Sequence, residues 1–356
     1  MRFQRLLDAA RKYEASDIHV VSNSPPAFRV DGEIVLVDFP ALDRDEISQL
    51  VRSVTSDDQQ DILRRERELC FSLIDEHGSR TRVSIYYSGG QPELAVRVCQ
   101  DHIGTLEELH LPEFVDSLCW LANGLVLITG PTGMGKTTTM NFLIDRINSQ
   151  RRCKIITIED PVEFTHEHKK SLVVQQEVHT DTISFSRALV HALRQDPDII
   201  AIGEMRDLET MSTALTAAET GHLVMATLHT PDATQSIERI ISVFPPYQQE
   251  QVRFQCASTL KAVVAQKLLP TAGGSGRALA CEILNVTTAV RSIIREGATY
   301  KLYSVLQTGQ NSQMQTMDAA LLDLYLKGEI TYDTAISNAT HPNFIEGRSG
   351  RQQTIV

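Results

Sequence analysis

The chain has 356 residues, a length that suggests two or three domains. Its hydrophobic content of 42 % and its charged content of 22 % are those of an ordinary globular protein. The formal net charge of −11 argues against a nucleic-acid partner, because surfaces that bind phosphate backbones are usually basic. A local basic channel is still compatible with a negative net charge, so the charge argues against a nucleic-acid partner without excluding one.

The six cysteines are scattered along the chain and form no C-x-x-C pair, which excludes the usual zinc spacing. Unpaired thiols of this kind are typical of a reducing compartment. No apolar run approaches the roughly 18 residues of a membrane-spanning helix, and charged residues interrupt the N-terminal amphipathic pattern, which is not that of a signal peptide. We expect a cytoplasmic protein without a transmembrane segment, held at a membrane surface at most through a partner.

The first hundred residues predict a small α+β domain, which we place at residues 1–103. Residues 3–14 predict an amphipathic helix with Phe3, Leu6, Leu7 and Ala10 on one face. A charged helical region follows at 43–69, and its charges are typical of a solvated face. Alternating apolar residues predict five strands, at 17–20, 27–30, 33–37, 80–86 and 93–98.

After a linker predicted at residues 104–122, strands alternate with helices along the chain. The predicted strands are 124–129, 153–158, 198–202 and 222–227, and the predicted helices are 138–147, 185–194 and 208–218. This alternation predicts a parallel sheet with a nucleotide at the carboxyl ends of the strands. We expect this core at residues 123–270, a mainly helical region at 271–340 and a flexible tail at 341–356.

Residues 130–137, GPTGMGKT, match the phosphate-binding loop G-x-x-x-x-G-K-[ST] at every fixed position. The glycines let backbone N–H groups close around a phosphate, and the following helix directs its positive end at the anion. Lys136 would bring a point charge to the β- and γ-phosphates, and the Thr137 hydroxyl can ligate Mg²⁺. The motif predicts a nucleoside-triphosphate site, with nine nucleotide-binding residues: Gly130, Pro131, Thr132, Gly133, Met134, Gly135, Lys136, Thr137 and Thr138.

Two acidic segments follow predicted apolar strands, where side chains emerge beside a bound nucleotide. One is EDPVE at 159–163, and the other is Glu204, which follows Gly203. Many phosphate-loop proteins have an aspartate at the position of Gly203. Hydrolysis needs a carboxylate that orients water and another that supports the metal, and we assign the second role to Glu204. The alternative for Glu204 is a solvated loop residue.

Histidine and arginine side chains are further candidates. His222 and His229 are seven residues apart, about 20 Å on an extended strand, so they cannot share one metal ion. Each is either a core histidine or a sensor of the γ-phosphate. Arg80, Arg82 and Arg97 are either surface charges or arginine fingers that reach the nucleotide of the same or a neighbouring subunit, a contribution of about 10³–10⁵ in rate.

Three segments resemble the secretion and type IV pilus ATPases. TIEDPVEF (157–164), RQDPDIIAIGEMRD (194–207) and AAETGHLVMATLHT (217–230) are similar to the acidic box, the Walker B segment and the histidine box of that family. ASDIHV (15–20) with PPAFRVDGEI (25–34) resembles its PAS-like N-terminal domain.

Within that family the chain resembles the pilus retraction motors over almost its whole length. Residues 288–296 are similar to the AIRNLIRE element of those motors, and residues 302–310 and 314–330 resemble their C-terminal region. The lack of a tetracysteine zinc site agrees with this assignment. Met134 stands where the family usually has serine, and residues 86–90 depart from its usual pattern.

The resemblance implies a homohexamer in which a PAS-like domain is joined to a RecA-like ATPase domain. It assigns Glu163 as the general base, Glu204 as the Walker B acid that supports Mg²⁺ with Thr137, and His222 and His229 as the histidine-box pair. Arg82 and Arg97 match arginines that engage the nucleotide, whereas the segment around Arg80 matches only loosely.

The activity implied is Mg-ATP hydrolysis that drives retraction of a type IV pilus. The implied partners are an inner-membrane platform protein and other pilus ATPases, which would place the chain at the cytoplasmic side of the inner membrane. Two alternatives remain. One is a secretion, conjugation or accessory pilus ATPase with the same chemistry. The other is a nucleic-acid translocase on the same core, against which the charge and the lack of interleaved aromatic and basic residues both argue.

Overall fold

The fold is taken from a computed structural model that describes residues 3–30, 33–76, 78–98, 102–274 and 276–349. Residue contacts divide the chain into two compact units. The first unit comprises Met1–His102, Glu159–His166 and Gln175–Thr182, and the second comprises Ile103–Ile158, Glu167–Val174 and Ile183–Val356. The first unit thus contains the predicted N-terminal domain together with two short segments from the later part of the chain.

The first unit is built on a six-stranded sheet in the order β3-β2-β1-β6-β5-β4, in which all the pairs are antiparallel. Its strands are β1 (Asp17–Val20), β2 (Ala27–Val30), β3 (Glu33–Leu36), β4 (Glu68–Ile74), β5 (Arg80–Ser88) and β6 (Gln91–Val98). Its helices are α1 (Phe3–Lys12), α2 (Arg44–Val54) and α3 (Asp57–Glu66).

Helix α1 packs as its sequence pattern predicts. Its four apolar residues recur at helical spacing and are buried in the same core cluster as the inward residues of the sheet, such as Ile18 and Phe28. The charged region at 43–69 forms two helices and then enters β4. Each helix begins with a capping box, at Asp43 and at Ser56, which satisfies backbone N–H groups of its first turn.

The second unit is built on a seven-stranded sheet in the order β13-β12-β7-β11-β10-β8-β9, although the last residue of β8 and the last three residues of β9 are grouped with the first unit. The pairs from β12 to β8 are parallel, and β13 is antiparallel to β12. The strands are β7 (Gly124–Thr129), β8 (Lys154–Glu159), β9 (Leu172–Glu177), β10 (Ile199–Ile202), β11 (Leu223–Leu228), β12 (Leu260–Pro270) and β13 (Arg277–Asn285). Every residue of β7, β10 and β11 is buried, as in a parallel sheet covered on both faces.

Helices precede, connect and follow these strands. They are α4 (Glu113–Ser117), α5 (Lys136–Gln150), α6 (Phe185–Ala192), α7 (Leu208–Glu219), α8 (Ala233–Ser242), α9 (Pro246–Thr259), α10 (Thr288–Arg295), α11 (Leu302–Thr308), α12 (Met317–Leu326), α13 (Tyr332–Asn338) and α14 (Pro342–Ser349). Three 3₁₀ segments lie at Leu118–Trp120, Thr299–Lys301 and Gln310–Ser312. Among the described residues, no helix is long and apolar enough to cross a membrane.

The structure differs from the sequence expectations in several places, and strands β4, β9 and β12 were not predicted. Residues of the predicted linker, including Phe114, Val115 and Leu118, are buried in the core of the second unit. The region expected to be mainly helical includes β13, whose strand signal we missed because it follows a glycine-rich loop. The predicted flexible tail contains helix α14, whose Ile345 is fully buried in a cluster with Leu321, whereas residues 350–356 lie outside the described part.

Candidate functional site

The phosphate-binding loop lies between buried strand β7 and helix α5. Gly130 has a φ of +141°, and a Cβ at this position would lie 2.5 Å from the carbonyl oxygen of Gln266, so only glycine fits here. Gly135 is the N-cap of α5, with a left-handed φ of +80°. Pro131, Thr132, Gly133, Thr137 and Thr138 are exposed. The loop and the first turn of α5 therefore present backbone N–H groups and three threonine hydroxyls, groups that can bind a phosphate.

Met134 has a defined packing role despite its departure from the family pattern. The backbone N–H of Leu268, in neighbouring strand β12, donates a hydrogen bond to the Met134 sulfur over 3.1 Å. Loops of this type bind phosphate through backbone N–H groups, and the long thioether side chain is directed onto β12.

The Lys136 side chain is turned back into its own loop. Its Nζ donates to the carbonyl oxygens of Gly130 and Pro131 over 2.6 and 2.8 Å. Burial lowers the pKa of Lys136 from its ordinary value, and the nearby charge of Glu204 partly opposes this effect. A desolvated ammonium at the mouth of a phosphate loop interacts strongly with an anion, because little water competes for it.

His229 links Lys136 to Glu204. The His229 Nδ1 atom lies 3.4 Å from Lys136 Nζ, and its Nε2 atom lies 3.1 Å from Glu204 Oε2. Since an ammonium can only donate, Nδ1 must accept and Nε2–H must donate to the carboxylate, which fixes the tautomer of a neutral imidazole. The strands β7, β11 and β10 are adjacent and parallel, so their carboxyl ends bring these three side chains to one edge of the sheet.

Glu204 is largely withdrawn from solvent, with a side chain that is 13 % exposed. Its second oxygen pairs with Arg206 over 2.6 Å. Both carboxylate oxygens therefore have cationic or N–H partners, which suits a carboxylate that supports metal-bound water rather than one that coordinates a metal with both oxygens. Among the described residues there is no cluster of three His, Cys, Asp or Glu side chains that could hold a metal by itself.

His222 is not part of this group. It precedes β11, whereas His229 follows it, so the two side chains lie at opposite ends of a six-residue strand. The His222 Nδ1 atom is 3.0 Å from the carbonyl oxygen of Ala217 and 3.3 Å from Thr220 Oγ1, at the end of helix α7. Within one chain the structure therefore does not support the catalytic role that the histidine box predicted for His222, because the strand separates it from Lys136 and Glu204.

A buried carboxyl group supports the segment after His229. Glu282 in β13 accepts a hydrogen bond over 2.9 Å from the N–H of Ala233, the first residue of α8. Burial raises the pKa of Glu282 to about 7, and the Ala233 bond acts in the opposite direction. The start of α8, four residues after His229, is thus fixed to the sheet. Sequence analysis missed Glu282 because it lies in the unpredicted strand β13.

The predicted base, Glu163, lies in the first unit together with the rest of the acidic loop, Glu159–His166. Its carboxylate pairs with Arg82 over 3.7 Å, and the Arg82 Nε–H donates to the Cys70 sulfur. Arg97 lies directly opposite Arg82 on β6 and pairs with Asp17 over 3.0 Å. The first unit therefore brings together Glu163, Arg82 and Arg97, while the second brings together the phosphate loop, Glu204 and His229.

Sequence analysis also missed the two polar residues of β9 that hold the acidic loop. The Gln175 amide nitrogen donates to Glu159 Oε1 over 3.1 Å and to the Phe164 carbonyl oxygen over 2.8 Å. Glu177 accepts a bond over 3.0 Å from the N–H of Val162. The sequence signal for β9 is a short apolar run followed by polar residues, QQE, which did not predict a strand.

Comparison with known proteins agrees with the fold. The model of the type II/IV secretion system protein family matches residues 2–333. The type IV pilus retraction ATPase PilT of Pseudomonas aeruginosa is 42 % identical over 342 residues, which cover 96 % of this chain and 99 % of the relative. A twitching motility protein of Neisseria gonorrhoeae is 44 % identical over 310 residues, or 87 % of this chain and 83 % of the relative.

A solved structure of the pilus retraction motor PilT with bound ADP has a TM-score of 0.90 and 43 % identity, and the match covers 98 % of this chain and 99 % of that one. The predicted fold class, the resemblance and the predicted ATPase activity are thereby confirmed, and nucleotide binding is supported by the ADP-bound relative. This chain belongs to the type II/IV secretion system protein family, and it is an ATPase of that family.

Proposed function

We propose that this chain is a homohexameric motor that hydrolyses Mg-ATP to retract type IV pili. The observation that carries the proposal is the end-to-end similarity to a pilus retraction ATPase, at 42 % identity over 99 % of that relative. The constellation of Lys136, His229 and Glu204 behind an intact phosphate loop supports the chemical part of the proposal.

Each of the site residues in the second unit has a defined task in this proposal. The loop N–H groups and Lys136 bind the β- and γ-phosphates, for which Lys136 exchanges its present carbonyl partners. Magnesium would be held by the Thr137 hydroxyl, by phosphate oxygens and by water, with Glu204 orienting that water. His229 contacts both Lys136 and Glu204, so it is placed to respond to the γ-phosphate.

In the first unit, Glu163 acts as the general base that takes a proton from the attacking water. Arg82 orients the Glu163 carboxylate, and Arg97 is a second guanidinium opposite it on the sheet. We propose that both arginines engage nucleotide in the assembled ring, where a guanidinium stabilises the charge of the transition state. His222 would act only if a neighbouring subunit in the ring brought it to a nucleotide.

The mechanical output is a movement of the first unit against the second, passed to an inner-membrane platform protein at the base of the pilus. Leu111, Phe114, Val115, Leu118 and Cys119 of the predicted linker pack into the core of the second unit and would move with it. The protein would act in the cytoplasm, peripheral to the inner membrane, and would work beside other pilus ATPases.

A nucleic-acid translocase is the alternative function from another class of protein, and DNA-stimulated ATP turnover would favour it.

Pilus counts on cells that lack this gene test the proposal. We expect abundant, long fibres by electron microscopy and a loss of twitching motility, because fibres would assemble but not shorten. Re-expression of the wild-type chain should restore both. Bald cells would instead mean that the protein drives assembly. An unchanged fibre count with normal motility would leave the ATPase in place and would point to secretion or to an accessory motor.

A further inference from the structure

Glu177 is a buried carboxylate of the first unit to which the proposed mechanism assigns no role. It ends strand β9 and is 3 % exposed. One of its oxygens accepts from the Ser72 N–H over 3.1 Å and from the Thr180 hydroxyl over 3.0 Å. The other accepts from the Ser72 hydroxyl and from the Val162 N–H, the latter over 3.0 Å. A carboxylate with four donors is held in one orientation.

Arg80 connects the same carboxylate to the far side of the acidic loop. Its Nη1 atom lies 3.7 Å from Glu177 Oε2 and donates to the Ser72 hydroxyl. Its Nε–H donates to the Thr165 hydroxyl over 2.6 Å. Glu177 therefore fixes the loop at Val162 while Arg80 fixes it at Thr165, and both are anchored to strands β4 and β5.

Glu163 lies between these two anchored residues. Its side chain is 28 % exposed and reaches Arg82 on β5, two residues along the strand from Arg80. Val162, directly before it, cannot turn without breaking the bond to Glu177, and Thr165, two residues after it, cannot turn without breaking the bond to Arg80. The direction in which the Glu163 carboxylate points is thus set by the N-terminal sheet.

We propose that Glu177 is a positioning residue, which together with Arg80 makes the acidic loop part of the N-terminal sheet and so orients the general base Glu163. This inference rests on the proposed role of Glu163. Glu177 touches neither nucleotide nor water in this scheme, and it acts only through the loop. Correct orientation of a catalytic group is worth a large factor in rate, because a displacement of about 1 Å costs roughly a hundredfold.

A double-mutant cycle tests the proposal. Glu177→Ala and Glu163→Gln are made singly and together in the full chain, and ATP turnover is measured at saturating ATP with the KM for ATP. We expect Glu177→Ala alone to lower kcat by about tenfold or more with KM within about twofold. In the Glu163→Gln background we expect no further loss, because the group that Glu177 orients is already gone.

If Glu177 had a purely structural role, the double-mutant cycle would give different rates. If Glu177→Ala slowed turnover by the same factor in both backgrounds, or raised KM alone, Glu177 would not act through Glu163 and the proposal would be wrong. Val51→Ala, in the core of the same unit, is the control for general destabilisation and should leave turnover per folded molecule unchanged. If Glu177→Ala does not fold, Arg80→Lys replaces it, since it keeps the charge and loses the bond to Thr165.

The cycle also separates this inference from the proposed function. A slow Glu163→Gln variant beside a normal Glu177→Ala variant would overturn only the positioning role. A Glu163→Gln variant with normal turnover would overturn both, because the base itself would then be another group.

Discussion

We expect the Lys136→Ala variant to lose nucleotide binding and ATP turnover. The Lys136 ammonium is the cation directed into the phosphate loop, and burial has already removed much of its hydration. Charge-assisted bonds to phosphate contribute about 1.5–3 kcal/mol each, so the affinity should fall by about a hundredfold or more. Binding is measured by titration of a fluorescent ATP analogue, and turnover by phosphate release.

The loss should not come from unfolding. Burial lowers the pKa of Lys136, because its charge is partly desolvated in the folded protein. Removal of the ammonium relieves this desolvation but breaks its bonds to the carbonyl oxygens of Gly130 and Pro131, so the two effects oppose each other. We therefore expect the midpoint of thermal unfolding to change little. Lys169→Ala is the matched control, because Lys169 lies in the same unit and pairs with Asp145 at the surface. Normal ATP hydrolysis by Lys136→Ala would show that residues 130–137 are not the nucleotide site.

The Glu163→Gln variant should hydrolyse ATP at least about tenfold more slowly while it still binds ATP. The amide keeps the size of the side chain but cannot take a proton from water, and a general base contributes about 10²–10⁴ in rate. The phosphate-binding residues are untouched, so the dissociation constant should stay within about twofold. Single-turnover phosphate release and a nucleotide titration measure the two quantities separately.

The control for this variant is Glu167→Gln, which makes the same chemical change four residues later, at an exposed position. It should retain normal turnover. If Glu163→Gln also had normal turnover, the base would be Glu204 or another group. A variant that lost ATP binding instead would mean that Glu163 contributes to binding, and the division of roles between the two units would need revision.

Several features of the site could be predicted because their signals are local in sequence. The phosphate loop is a contiguous motif between a strand and a helix, and Glu204 follows an apolar strand at the edge where nucleotides bind. The buried face of α1 could be read from helical spacing alone, and its four predicted residues are all buried. Such patterns depend on the spacing of residues within one helix or strand, so they can be recognised without knowing which elements pack against it.

Other features depend on contacts between distant segments. The bridge from Lys136 through His229 to Glu204 requires the strand order, which the spacing of residues along the chain does not give. The separation of His222 from His229 was expected from their spacing on a strand, although the family resemblance named them as a pair. Glu177 binds Ser72, which is 105 residues away along the chain. The grouping of the acidic loop with the N-terminal sheet was therefore not predictable from spacing. It depends on polar residues of β9 whose pattern is not that of a strand.

Retraction of individual fluorescently labelled pili tests the central claim most directly, in cells whose only copy of this chain carries Glu163→Gln. The account predicts that retraction slows by about the same factor as ATP turnover, roughly tenfold or more, while the variant is present at normal levels. Wild-type re-expression in the same cells should restore the speed. Normal retraction beside a slow ATPase would contradict the claim that hydrolysis by this chain powers the movement.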